Sequence, residues 1–182
     1  MSVRAKVWTR EEYDRLVASG GFQPESRVQL IRGEIVEMAP QGAGHATSIR
    51  LTQTLLERLF TPGYEVRGQL PLALGQWSEP EPDVAAVRGA IEDYRDAHPA
   101  NAVLVVEVAD ATLEFDRTRK QQIYADAGIT EYWIVNLVDG VLEVYRNPQG
   151  GVYQQTLRLN PDDVVAPLTS PSARVRVSNL LP

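Results

Sequence analysis

Two carboxylates and one ammonium carry the chemistry this sequence suggests. Asp83 follows Pro82 at the head of an apolar run, Glu107 ends a second run, Ala102-Val103-Leu104-Val105-Val106, and Lys120 lies one helical stretch further on. Carboxylates at strand ends with an ammonium nearby are what a magnesium-dependent phosphodiesterase needs. A hard divalent cation takes one or two carboxylates and leaves positions for water and phosphate. Each residue also has a plainer reading. Asp83 can cap a turn after Pro82, and a lysine on a charged helix is usually solvated. Glu107 is harder to read that way, because a carboxylate beside five apolar residues needs a partner when it is buried.

Other side chains could assist. Arg117, Lys120 and Tyr124 are spaced i, i+3, i+7, which predicts a shared helix face. On that face Lys120 can stabilise a hydroxide or donate to a phosphate, and Arg117 can contact the substrate backbone. Gln121, about 100° round the helix from Lys120, is a candidate orienting group. Tyr124 reads equally as core packing. His45, near the start of a helix, and Glu34, on a hairpin, are candidates at the edge of the site. His98, before Pro99, reads as loop.

The elements that must position these groups can be read in order. Thr9 and Glu12 form a capping-box pattern ahead of a helix over Arg10 to Ser19, stopped by Gly20-Gly21. Arg27 to Met38 reads as a hairpin turning at Arg32-Gly33. The apolar spacing predicts the longest helix over Gly44 to Phe60, ended by Thr61-Pro62-Gly63. Tyr64 to Leu74 is extended. Asp83 to Val87 reads as a buried strand. Ala102 to Val108, apolar on both faces, reads as the central strand of a sheet covered on both sides. A helix over Phe115 to Ala127 closes at Gly128. Strands at Glu131 to Asn136 and Val141 to Arg146 flank a hairpin signal, Val152 to Leu157 could add another, and the tail after Pro161 is irregular with a short strand near Val175. If the strands of Asp83 and Glu107 are antiparallel neighbours, both carboxylates reach one end of the sheet.

Composition bounds the possibilities. With 182 residues, 43% hydrophobic and 23% charged, the chain suits one α/β domain with a mixed sheet over residues 1–182. No apolar run is long enough for a transmembrane helix, and Met1 to Trp8 lacks a signal-peptide core, so a cytoplasmic location is expected and no membrane partner. The absence of cysteine excludes disulfides, zinc–thiolate sites and thiol nucleophiles. The net charge of −6 weighs against a dedicated non-specific nucleic-acid binder. No Gly-x-Ser-x-Gly sequence and no P-loop occurs.

Pro82-Asp83 followed by Glu107-Val108-Ala109 resembles the PD-(D/E)XK nuclease superfamily. The stretch Val103 to Val108, then Asp116 through Lys120 to Tyr124, then Ala127-Gly128-Ile129-Thr130-Glu131-Tyr132-Trp133-Ile134-Val135, is similar to one branch of it, a group of bacterial putative restriction endonuclease-like proteins of unknown function. The hairpin Val28 to Met38 followed by His45 on a helix matches the same group. The resemblance covers Trp8 to Arg146. It implies an α/β (α+β mixed) fold, a restriction endonuclease-like core whose central mixed sheet is flanked by the Gly44–Phe60 helix on one face and the Phe115–Ala127 helix on the other. It also implies Mg²⁺ or Mn²⁺ held by Asp83 and Glu107, Lys120 polarising water or phosphate, and DNA as substrate. Two positions depart from the pattern. The superfamily's usual lysine, two residues after the glutamate, is Ala109 here, so Lys120 must stand in from its helix. The hairpin position that is usually glutamate is Gln29.

Three functions remain open at this point. One is a metal-dependent endonuclease cleaving DNA, with Asp83, Glu107, Lys120, Glu34 and His45 catalytic and Arg117 and Gln121 binding substrate. Another is a non-catalytic descendant used for binding or assembly, favoured by Ala109 and Gln29. A third is a hydrolase of small phosphoesters. Cutting both strands of a duplex is simplest with two-fold related sites, so a homodimer or higher homo-oligomer is expected, with the sheet edge after Val141 and the C-terminal tail as candidate surfaces.

Overall fold

The computed structural model describes residues 4–23, 25–60 and 62–182. Helix α1 (Arg10–Ala18) begins with the capping box of Thr9 and Glu12, and its Tyr13 hydroxyl donates to the Val28 carbonyl at 2.9 Å. Strands β1 (Val28–Ile31) and β2 (Glu34–Glu37) form the expected hairpin. Its two-residue turn places both Arg32 and Gly33 at positive φ, as a type I′ turn requires. The hairpin is tied to the segment before Asp83 by two bonds between Leu30 and Glu79.

Helix α2 (Ala43–Leu59) follows, and of its expected stop Thr61 lies outside the described residues. The main sheet then builds in chain order from β3 (Tyr64–Gly68), β4 (Val84–Arg88), β5 (Leu104–Ala109), β6 (Glu131–Asn136), β7 (Val141–Gln149) and β8 (Val152–Leu159). All neighbours are antiparallel except β5 and β6, which are parallel. A parallel pair needs a crossover, and residues 113–126 supply it as α3 (Leu113–Phe115), a π-helical turn (Asp116–Lys120) and α4 (Gln121–Asp126). A short pair, β9 (Val164–Val165) with β10 (Val175–Arg176), orders the tail that looked irregular. The outer strands of the sheet are β3 and β8. The edge expected after Val141 is therefore covered, because β8 pairs along β7 from Leu142 to Gln149.

The strand pleat divides the core in two. Val84, Ala86, Leu104, Val106 and Val108 face α2 and pack with Ile49 and Leu56. Ala85, Val87, Val105 and Ala109 face the crossover and pack with Ile123 and Tyr124. The fold is thus a six-stranded mixed sheet between helices, with β5 buried along its whole length. By the same alternation Glu107 falls on the crossover side, with Val105 and Ala109. No described helix is long and apolar enough to cross a membrane.

The crossover ends in a tight hydrogen-bonded reversal. Gly128 N–H donates to Ala125 at 3.1 Å and Ile129 N–H to Tyr124 at 3.0 Å, a Schellman pair, with Gly128 at φ +72° and Ile129 buried. This reversal anchors the turn that carries Tyr124 and turns the chain into β6. A Cβ on Gly128 meets no atom within 4 Å, so only backbone strain opposes it. Gly128→Ala is expected to cost about 1 kcal/mol in urea unfolding; no loss would show that the left-handed conformation is not needed there.

Candidate active site

Asp83 immediately precedes β4, and Glu107 lies within β5. Val84 pairs with Val106, so one further step in the antiparallel register sets Asp83 opposite Glu107. The condition posed by the sequence is met: the two are antiparallel neighbours at one end of the sheet. Asp83 N–H lies 3.4 Å from Glu107 Oε2, and Val108 N–H donates to Asp83 Oδ2 at 2.8 Å. The strand pairing itself therefore orients both carboxylates.

The crossover supplies the ammonium. Lys120 Nζ lies 2.9 Å from Glu107 Oε1 and 3.8 Å from Asp116 Oδ1. Tyr124 donates to the same Glu107 oxygen at 2.6 Å. All four side chains are buried. Lys120 and Tyr124, four residues apart, share a helix face and so reach one carboxylate. Before them, Gln121 N–H bonds to the Asp116 carbonyl, an i→i+5 bond, which widens the turn and rotates Asp116 and Arg117 relative to Tyr124, and Arg117 does not join them.

The electrostatics are unbalanced towards negative charge. Three carboxylates, Glu107, Asp116 and Asp83, surround one ammonium. Burial is the largest influence on Glu107 and pushes it up to about 8; Lys120 opposes the shift, and Asp83 and Asp116 add to it. Burial likewise raises Asp116, against Lys120. For Lys120 burial favours the neutral amine, but Glu107, Asp116 and Asp83 together outweigh it and keep the ammonium.

His45, in the first turn of α2, overhangs the same end of the sheet. Its Nε2 lies 3.6 Å from Asp83 Oδ2 and its Nδ1 3.6 Å from Asp110 Oδ2. Its pKa is raised, first by Asp83, against burial and with help from Asp110. A cavity of about 300 Å³ opens here, lined by His45, Asp83, Glu107, Asp116, Lys120 and Gln29 among others. Gln29 Oε1 accepts from Glu81 N–H at 3.3 Å, so its amide braces the segment leading to Asp83.

Three sequence candidates stand apart from this cavity. Glu34 is exposed on the hairpin and pairs with Arg119 at 2.8 Å. Arg117 turns to Glu143, with Nε 3.0 Å from Oε2 and a second bond from Nη2 to Oε1. Burial would raise Glu143, but hydrogen bonds from Arg117, Tyr145 and Asn136 outweigh it and lower its pKa. Gln121, half-buried, does not line the cavity. Conversely, Asp110 and Asp116 belong to the site and were not singled out from the sequence. Asp116 stands four residues before Lys120, and Asp110 follows β5, signals available only once the helix and strand ends are known.

Among the described residues no group of three or more His, Asp or Glu side chains is arranged to hold a metal ion. The donors present still suit a hard cation such as magnesium, which keeps several waters and takes one or two protein carboxylates. Burial, with Asp83 and Asp116 adding to it, disfavours the ionised Glu107, and a bound divalent cation would favour that ionised form.

The metal-free pair has a definite pH signature. Because Glu107 is raised above its ordinary 4.5 to about 8, it binds its proton more tightly folded than unfolded. Its contribution to stability is full below pH 4.5 and is lost as pH rises through about 8. Near pH 6 a mostly protonated Glu107 depends little on Lys120; near pH 9 an ionised one depends on it fully. Lys120→Met is therefore expected to cost about 3 kcal/mol at pH 9 and clearly less at pH 6, in urea titrations with chelator. Equal costs at both pH values would contradict a charge pair as the source.

The family model "Uma2: Putative restriction endonuclease" matches residues 10–178. A solved structure described as "a putative nuclease belonging to DUF820 from Anabaena variabilis ATCC 29413" superposes with a TM-score of 0.75 at 17% identity, over 94% of this chain and 96% of that one. At that identity the likeness speaks for the fold. No curated protein matches the chain. The family match over nearly the whole chain and the shared fold lead to one conclusion: this chain belongs to the Uma2 family, within the restriction endonuclease-like PD-(D/E)XK superfamily.

Proposed function

We propose that this protein is a divalent-metal-dependent endodeoxyribonuclease whose reaction centre is Asp83, Glu107 and Lys120. The observation that carries the reading is the Lys120–Glu107 contact at 2.9 Å beside Asp83, in one cavity. It offers from a helix the ammonium that Ala109 cannot, which supports the catalytic reading over that of a non-catalytic descendant.

Asp83 and Glu107 would hold Mg²⁺ or Mn²⁺, which when bound supplies Lewis-acid stabilisation of the phosphate and a more acidic water. The chain's own groups have distinct parts. Asp83 is held by the Val108 N–H, and Tyr124 fixes one Glu107 oxygen, so neither carboxylate needs to reorganise when charge develops. Lys120 Nζ is the donor for a non-bridging phosphate oxygen or for the attacking hydroxide. His45, between Asp83 and Asp110, can hold a proton at the mouth of the site. Glu34, Arg117 and Gln121 have no part in this chemistry as placed. The same reading takes residues 1–182 as one restriction endonuclease-like domain acting on DNA as a homo-oligomer in the cytoplasm.

Calorimetric titration with Mn²⁺ tests it. The parent is expected to bind, and Asp83→Ala and Glu107→Ala each to abolish binding and Mn²⁺-dependent nicking of plasmid DNA. Lys120→Met is expected to retain Mn²⁺ while losing about 10²–10³-fold in rate. A parent that neither binds Mn²⁺ nor cuts DNA when both are present would return the chain to the binding-protein reading.

A further inference from the structure

Away from the candidate centre, a groove of about 1010 Å³ runs between the outer face of α2 and the C-terminal segment around Ser178 and Asn179. Its wall on α2 carries Arg50, Thr54 and Arg58, spaced i, i+4, i+8, and its floor includes Leu51, Leu55 and Leu181. No carboxylate lines it, in a chain with 24 acidic residues and a net charge of −6.

The two arginines are unpaired and share one groove. Arg10, Arg15, Arg27, Arg32, Arg67, Arg117, Arg119, Arg146, Arg158 and Arg176 all pair with a carboxylate. Among the described residues Arg50 and Arg58 have no such partner, a state they share with Arg4, Arg88, Arg95 and Arg174, none of which lines this groove; Arg50 reaches only the Gln53 amide, at 3.2 Å. Both are exposed, as is Leu51. Eight residues of helix separate them by about 12 Å along the axis, comparable with the width of a B-DNA major groove, about 12 Å between its walls. The helix is also continuous with the candidate centre, since His45 stands in its first turn.

We infer that this groove binds the sugar–phosphate backbone of the DNA substrate, with Arg50 and Arg58 each neutralising one phosphate and Thr54 and Ser178 offering hydroxyl donors. The inference rests on the nuclease reading and extends it: the acidic centre handles the scissile phosphate, and the α2 groove holds the flanking backbone. Guanidiniums that pair with no carboxylate, in a groove that no carboxylate lines, are free to displace counterions from a polyanion.

The test is fluorescence anisotropy of a labelled duplex of about 20 base pairs across a salt series, in EDTA so that nothing is cut. The Arg50→Ala/Arg58→Ala variant is expected to bind about tenfold more weakly and to lower the slope of log K against log salt by about 2, nearly one per phosphate. Arg50→Lys/Arg58→Lys should keep the slope, and Arg95→Ala should leave both quantities unchanged. Mn²⁺ titration of the alanine variant should match the parent, which shows that it is folded. An alanine variant with the parent's affinity and slope overturns the groove but leaves the nuclease reading standing. A parent that binds no duplex overturns both. A dimer that dissociates in the alanine variant, with DNA binding unchanged, would assign the groove to a second copy instead.

Discussion

A carboxylate locked inside an apolar strand is the constraint around which this molecule is arranged. Glu107 sits in β5, whose other residues are all buried, and is itself almost wholly buried, so water solvates it poorly. An unpaired buried charge would destabilise the fold by several kcal/mol. The crossover helix must therefore pass where Lys120 and Tyr124 can reach the same oxygen, and that need fixes the helix's height over the sheet. Asp83 then meets Glu107 through the backbone, one N–H from each strand reaching towards the other's carboxylate. Remove the burial and nothing forces these groups together; add it, and the same interaction that keeps β5 in the core assembles a polar site at its end.

The arrangement of positive charge follows a related logic. Most arginines are consumed by structural pairs, several of them at sheet and helix margins, such as Arg146 with the fully buried Glu131. A protein of this net charge cannot attract a polyanion by its overall field. Any attraction must be local, within about a Debye length of about 8–10 Å at ordinary salt, and so must come from surfaces where cations outnumber anions over a few residues. Structural pairing thus matters to function indirectly, by deciding which cations remain available.

The sequence revealed the fold well where patterns are strong and local. The uninterrupted apolar run before Glu107 pointed to a central strand, and Arg32-Gly33 marked the hairpin turn although Arg32 must take a positive φ there. Asp83 and Glu107 were legible because each marks the limit of an apolar run. The surroundings of the site were less so. Arg117 and Gln121 were assigned by ideal α-helical spacing, which the π turn at Asp116–Lys120 breaks; Arg117 instead satisfies Glu143, 26 residues away. Glu34 was within reach of the site in sequence order but is captured by Arg119. Asp110 and His45 meet only because α2 overhangs the strand end, a tertiary relation with no local trace. The short strand at Val175 was legible, but its partner β9 is only two residues long, too short to leave a periodicity.

The π turn has an evolutionary consequence. A π turn is an α-helix carrying one residue more than its hydrogen bonding requires. Losing one residue between Asp116 and Lys120 would restore ordinary winding, leave Ile123, Tyr124 and the Gly128 reversal in register with the sheet, and displace the residues before the deletion. Asp116 would swing away while the core stayed packed. In such a scaffold the second carboxylate beside Lys120 can be gained or lost by an insertion or deletion inside a helix, while Asp83, Glu107 and Lys120 keep their places. Two chains with the same motif residues would then differ in the charge beside Lys120 through helix length alone.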